Sequence, residues 1–200
     1  MFKNLLNYLS KTPVLAGIVI ISYFAKAKIE ALLNHHYALS EFPVPFYEAQ
    51  LSFNADKLRQ WYQYLHEHGT FEQYIFTQHF DFYFMACVLI LHFSCLQLIA
   101  TFLKSNIRLN KLFCRFAFLS CLAPLADALE NGIAYIMLAN SQYFPDYLAL
   151  IYSSFAAIKF SIFVLTYIAI AVGIFTIALV YLKKLFKPKA STNTVPYTNS

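Results

Sequence analysis

Glycine is nearly missing from this 200-residue chain, which has only Gly17, Gly69, Gly132 and Gly173, no two of them close enough to form a phosphate-cradling loop. That scarcity excludes the Gly-rich nucleotide-binding folds, and seven prolines without periodicity exclude a collagen-like fibre. Charge is sparse as well. Asp, Glu, Lys and Arg make up 12% of residues, against about 25% in a soluble domain, which is too few to solvate an enzyme surface. The four cysteines, Cys87, Cys95, Cys114 and Cys121, all lie in apolar segments without a CxxC pair, so neither a disulfide framework nor a zinc site is implied. No internal repeat is present, and nothing calls for a cofactor.

Apolar residues are what the chain has in excess: 60% of positions are hydrophobic, with 15 Tyr and 21 Phe among them. The composition predicts a single all-α membrane domain over residues 1–189, followed by a disordered tail at 190–200 rich in Ser, Thr and Asn. The clearest span is Phe82 to Leu103, which has no formal charge and is ended by Lys104. A second runs from about Leu112 to Ala139 and carries Asp127, Glu130 and Asn131 at membrane depth. A third starts at Pro145, continues to Leu182, and holds one internal charge, Lys159. The N-terminal apolar stretch is shorter. It reads either as a first transmembrane helix of about Thr12 to Leu33 or as a signal peptide with a small-x-small site at Ala25-Lys26-Ala27. The first reading makes the fold a four-helix membrane bundle.

Charge sets the expected orientation. Lys3, Lys11, Lys104, Arg108, Lys111, Arg115 and lysines 183, 184, 187 and 189 fall on one side, against Lys26, Lys28, Lys57 and Arg59 on the other. The richer side faces the cytoplasm, which places both termini there in a bacterial inner membrane. The basic residues serve this role and do not form a nucleic-acid surface.

The long loop after the first segment should be folded. Asn54 is placed to cap a helix in which Leu58, Trp61, Tyr62 and Leu65 form one apolar stripe, with charges on the opposite face. Gly69 is its expected stop, and Thr70 with Gln73 reads as a capping box for the next helix. This outer amphipathic helix would lie along the outer surface or across the mouth of the bundle, with Trp61 and Tyr62 as part of a lid. Upstream, Phe42-Pro43-Val44-Pro45-Phe46 is an extended, turn-forming stretch.

The residues with chemistry are few. Asp127, Glu130 and Asn131 stand at i, i+3 and i+4, so they share one helix face. Carboxylates at membrane depth are expensive and by default mark a functional site, and two together call for a cation. Lys159 and His92 are the available partners. In a hairpin joined by a short loop, residues at equal depth have numbers with a constant sum. That sum is about 286 here, and Asp127 and Lys159 meet it. The same count sets His92 level with residue 123, about a turn from Asp127. Pro124 removes an N–H and frees a carbonyl near Ser120, so a kink or a water pocket is expected there. Asp81, eleven residues before His92 and nearly on its face, either lines a water route to it or is an interfacial carboxylate. Five histidines, His35, His36, His66, His68 and His79, belong to the loop, but His66 and His68 point apart on a helix and make no metal site. Small residues Ser153, Ala157 and Ser161, and Ala169 with Gly173, supply close-packing ridges.

Several residues together resemble a functionally unassigned family of small four-helix membrane proteins. They are Gly69 and Tyr74, Asp81 with Phe84, the Asp127-Ala-Leu-Glu130-Asn131 motif, and Lys159, and they cover roughly residues 50–180. Where that pattern has a second Gly and an Arg after Gly69, Thr70 to Gln73 contain neither. The resemblance implies the bundle and no activity. A looser similarity, in helix count and intramembrane acids, is to the sterol-isomerase-like EXPERA membrane domain.

The functional expectation is a site for a membrane lipid or lipid-like small molecule, bound and open to chemical change. Asp127, Glu130, Lys159 and His92 would do the chemistry, and Asn131, Asp81, Trp61, Tyr62 and Tyr135 would bind. The rival readings are a non-enzymatic accessory subunit, working with a membrane-protein partner or a second copy, and a small proton- or ion-coupled transporter.

Overall fold

The computed structural model describes residues 12–186. The expected disordered tail at 190–200 and the basic residues Lys3, Lys11, Lys187 and Lys189 lie outside them. Seven helices follow in order: α1 Thr12–Leu39, α2 Phe46–Gln50, α3 Ala55–Glu67, α4 Phe71–Phe102, α5 Ile107–Ser120, α6 Leu122–Ala139 and α7 Asp146–Leu185. The described residues contain no strand. Three stretches are long and apolar enough to cross a membrane: Phe71–Phe102, Ile107–Ala139 and Asp146–Lys183. Helix α1 runs six residues beyond the expected Leu33 and packs along α4, but it is not one of those three.

Side-chain distribution agrees with an apolar surround. Leu165, Ile168, Val172 and Phe175 of α7 are all at least half exposed, far more large apolar surface than a protein dissolved in water carries. With 40 residues, α7 is about 60 Å long, so it tilts or projects beyond a hydrocarbon core of about 30 Å.

Pro124 has the expected effect. It has no N–H to give the carbonyl of Ser120, and the helix breaks at Cys121 into α5 and α6. The amphipathic helix α3 also forms as its pattern predicts. Asn54 Oδ1 accepts from the Lys57 N–H at 3.0 Å, and Leu58, Tyr62 and Leu65 are buried. Gly69 adopts φ 70°, while Thr70 and Gly69 donate to the carbonyls of Leu65 and His66 at 2.9 and 3.2 Å, closing the helix end. Arg59 ties α3 to the α6–α7 turn. It pairs with Asp56 and Asp146, donates to the Phe144 carbonyl and stacks on the Phe144 ring.

The expected capping box at Thr70 does not form. The Thr70 hydroxyl makes no hydrogen bond, and Gln73 turns away to His36 of α1, at 3.3 Å from its carbonyl. Contact with α1 wins over a local cap. The small-residue ridge is also shorter than expected. Ser153 is fully buried, where it accepts from the Phe53 N–H at 3.1 Å, but Ser161 has rotated to the surface. Ala169 and Gly173 do sit at a close contact with α4 and α5.

The interior is layered. One apolar core, at the end of the bundle covered by α2 and α3, joins Phe42, Leu58, Tyr62, Tyr74, Met137, Phe144 and Tyr152. Another, at the far end, joins Leu96, Ile99, Leu103, Phe113 and Ala169. The polar residues of α6 and α7 lie between them.

Candidate functional site

The α6–α7 hairpin assembles the site. Its turn ends α6 at Asn140 and restarts the chain at Pro145, whose backbone precedes the first turn of α7. The short connection sets the two helices antiparallel and in the register expected from the sequence. Lys159 Nζ donates to Asp127 Oδ1 at 2.8 Å and lies 2.6 Å from Glu130 Oε2. The side chains of Lys159, Asp127 and Glu130 are 4%, 4% and 0% exposed, so one ammonium serves two carboxylates out of contact with solvent. Glu130 is held by this ion pair alone, since no other group donates to its carboxylate. The medium around the pair screens charge poorly.

Asn131, on the same face of α6, carries the network to α4 by donating to Asp81 Oδ2 at 2.8 Å. Asp81 thus joins the polar layer through Asn131. Three carboxyl groups from two helices face the single ammonium of a third.

His92 stands apart. Asp81 and Asn131 are level, which sets His92 level with residue 120, seven residues or about 10 Å from Asp127. There it is buried with its ring edge-on to Phe163 and Tyr167, and Nδ1 has no hydrogen-bond partner. It shares a helix face with Asp81 as its spacing requires, and its ring meets Phe163 and Tyr167 of α7.

Trp61 and Tyr62 belong to the packed core under α3 and are not in the wall of the cavity that touches Asp127. Tyr62 is fully buried, burial raises its phenol above the ordinary value, and its hydroxyl has no partner. Tyr135 stacks on Phe82 and meets His79, again away from any cavity that touches Asp127. The helical stripe correctly set the inward face of α3. What it could not set was which cover residues reach the polar layer.

Those residues come from α2. A cavity of about 100 Å³ touches Asp81, Asp127 and Lys159, with Phe46 and Gln50 of α2, Asn34 and Tyr37 of α1 and Phe163 of α7 in its wall. Glu130 does not reach it. The volume is below the roughly 300 Å³ of a site for a whole drug-sized molecule and suits a compact polar group or a few waters. Both α1 and α7 contribute to its wall, although the two helices do not pack along each other. Two residues with positive φ, Glu41 at 53° and Phe53 at 50°, bracket the roof segment. For residues other than Gly, that backbone is strained. No sequence motif marks Phe46 or Gln50; the Pro43 and Pro45 turn was the only signal that the chain doubles back there.

The loop histidines are committed to other contacts. His66 meets Ser141 Oγ at 2.9 Å and stacks on Phe71, while His68 stacks on Tyr64. Among the described residues no group of three or more His, Cys, Asp or Glu is placed to hold a metal ion. The cysteines are free. Comparison with family models, with characterised proteins and with solved structures finds no match to this chain.

Proposed function

We propose that the protein sits in a bacterial inner membrane with both termini cytoplasmic, and binds the polar end of a lipid-like small molecule between α1, α4 and α7. The observation that carries this reading is the cavity itself. It gathers Glu30, Asp81, Asp127 and Lys159 together with the apolar side chains Leu33, Phe84 and Phe160, so it suits the polar end of a molecule whose remainder is apolar. Asp127 and Lys159, 2.8 Å apart at the cavity wall, are the pair that would accept and donate a proton in any turnover of the bound molecule. Glu130, sealed behind Lys159, positions the ammonium and is not an acid or base for the ligand.

Mass spectrometry of lipid carried through purification in mild detergent tests this. The native protein should retain one amphiphile in near-stoichiometric amount. Thr77→Phe, which fills the buried cavity wall, and Gln50→Trp at the roof should lose it while keeping native helicity. Equal retention by all three, or none by the native protein, would overturn the reading. Reporter fusions before Thr12 and after Leu185 should both report the cytoplasm.

One observation favours a second reading. The Lys159 triad is buried and paired within itself, as expected for a polar contact that only fixes helix register in a non-enzymatic accessory subunit. Under that reading Thr77→Phe and Gln50→Trp are silent in every functional assay, whereas changes to Lys159 act through folding alone.

A further inference from the structure

We infer that the group occupying this cavity is an ammonium at the head of an amphiphile, with Asp81 as its counter-ion. This rests on the binding role proposed above and specifies its ligand class.

Charge is the first argument. Asp81, Asp127 and Glu130 stand in the polar layer against one cation, Lys159, which is already shared by Asp127 and Glu130. At the cavity margin Glu30 is matched one-to-one by Lys26 at 2.7 Å and adds no net charge. The carboxylate left over is therefore Asp81, which accepts one hydrogen bond, from Asn131, and lines the cavity. Leaving a buried charge uncompensated is strongly unfavourable, so a bound cation is favoured there.

Hydrogen bonding points the same way. Gln50 Oε1, on the cavity wall, is buried and has no donor. An ammonium supplies several N–H donors and accepts nothing, so it satisfies this oxygen and Asp81 together. A phosphate or carboxylate would instead meet Asp81 and Asp127 head-on and find Lys159 already engaged.

Aromatic surface supplies a third argument. Tyr37, Phe46 and Phe163 contribute ring surface to the wall, and ring faces attract a desolvated cation. The same preference is visible nearby, with Lys159 Nζ 5.0 Å from the Phe160 centroid and Lys26 Nζ 5.5 Å from that of Phe84. The small volume suits a primary ammonium such as an ethanolamine head, and the apolar side chains Leu33, Phe84 and Phe160 in the same wall suit an acyl-bearing molecule more than a free amine.

The experiment uses the full-length protein in nanodiscs holding equal amounts of phosphatidylethanolamine, phosphatidylglycerol and diacylglycerol with identical acyl chains. Lipid retained after transfer to mild detergent is counted by native mass spectrometry. The native protein should keep the ethanolamine lipid over each of the others by about tenfold or more. Asp81→Asn, which can still accept from Asn131, should keep similar total lipid with the preference reduced to about twofold or less. Excess free ethanolamine should displace the lipid and excess glycerol phosphate should not. Retention without headgroup preference, preference for phosphatidylglycerol, or a preference unchanged in Asp81→Asn would overturn the ammonium assignment alone. Failure to retain lipid from any mixture would overturn the binding role as well.

Discussion

Replacing Lys159 by Met should be among the most damaging single changes in the bundle, and the damage should be repairable from the opposite helix. Lys159 Nζ lies 2.8 Å from Asp127 and 2.6 Å from Glu130, and all three side chains are at most 4% exposed. At an effective dielectric constant of about 20, each pair attracts by about 6 kcal/mol, most of which is offset by desolvation of the ions. Methionine fills similar volume, so the cavity penalty is small and the loss is chiefly electrostatic. Two carboxyl groups then remain buried without a cation, and the expected cost is about 3–5 kcal/mol, a large part of the roughly 5–15 kcal/mol that holds a domain together. Adding Asp127→Asn should recover part of that loss, and adding Glu130→Gln as well should recover most of it, because each change removes one uncompensated charge. Unfolding in mixed micelles, followed by circular dichroism, measures all four proteins. If the effects add, with each further substitution lowering stability by its own amount, the three groups do not act as one unit and the reasoning fails.

The remaining predictions are more local. A Cβ on Gly173 would meet Ile99 Cγ2 at 2.7 Å and Phe113 Cε1 at 2.9 Å, so Gly173→Ala should destabilise by about 1–3 kcal/mol, with partial rescue by Ile99→Ala in the same unfolding assay. Tyr62→Phe should be neutral or stabilising below pH 10, since it removes a buried hydroxyl that has no partner. Because burial raises the Tyr62 phenol above 10.0, its neutral form is the one favoured in the folded state. Its contribution to stability is therefore full below pH 10 and falls as pH rises past that value, a decline Tyr62→Phe should lessen. Trp61, the one tryptophan, packs partly buried against the core under α3, so its emission should be blue-shifted from that of a water-exposed indole. A water-like maximum would reject the docking of α3.

Patterns confined to one helix or one hairpin were legible in the sequence. The stripe Leu58, Tyr62 and Leu65 set the inner face of α3, Asn54 and Gly69 set its ends, and Pro124 set the break before α6. Lys159 and Asp127 were paired by number alone, because a short turn and a fixed rise per residue leave almost no freedom in depth. Rotation about the helix axes and the choice between competing partners had no such local rule. Gln73 abandoned a capping box for His36, Asp81 joined the polar layer through Asn131, and His92 settled beside Phe163 and Tyr167 because two helices meet α7 at different heights. Phe46 and Gln50, not Trp61 and Tyr62, roof the cavity, since a short chain reversal after α1 carries them over the gap beside α7. Spacing along the chain determines which residues share a face and a depth, and only the packing of several helices decides what that face meets.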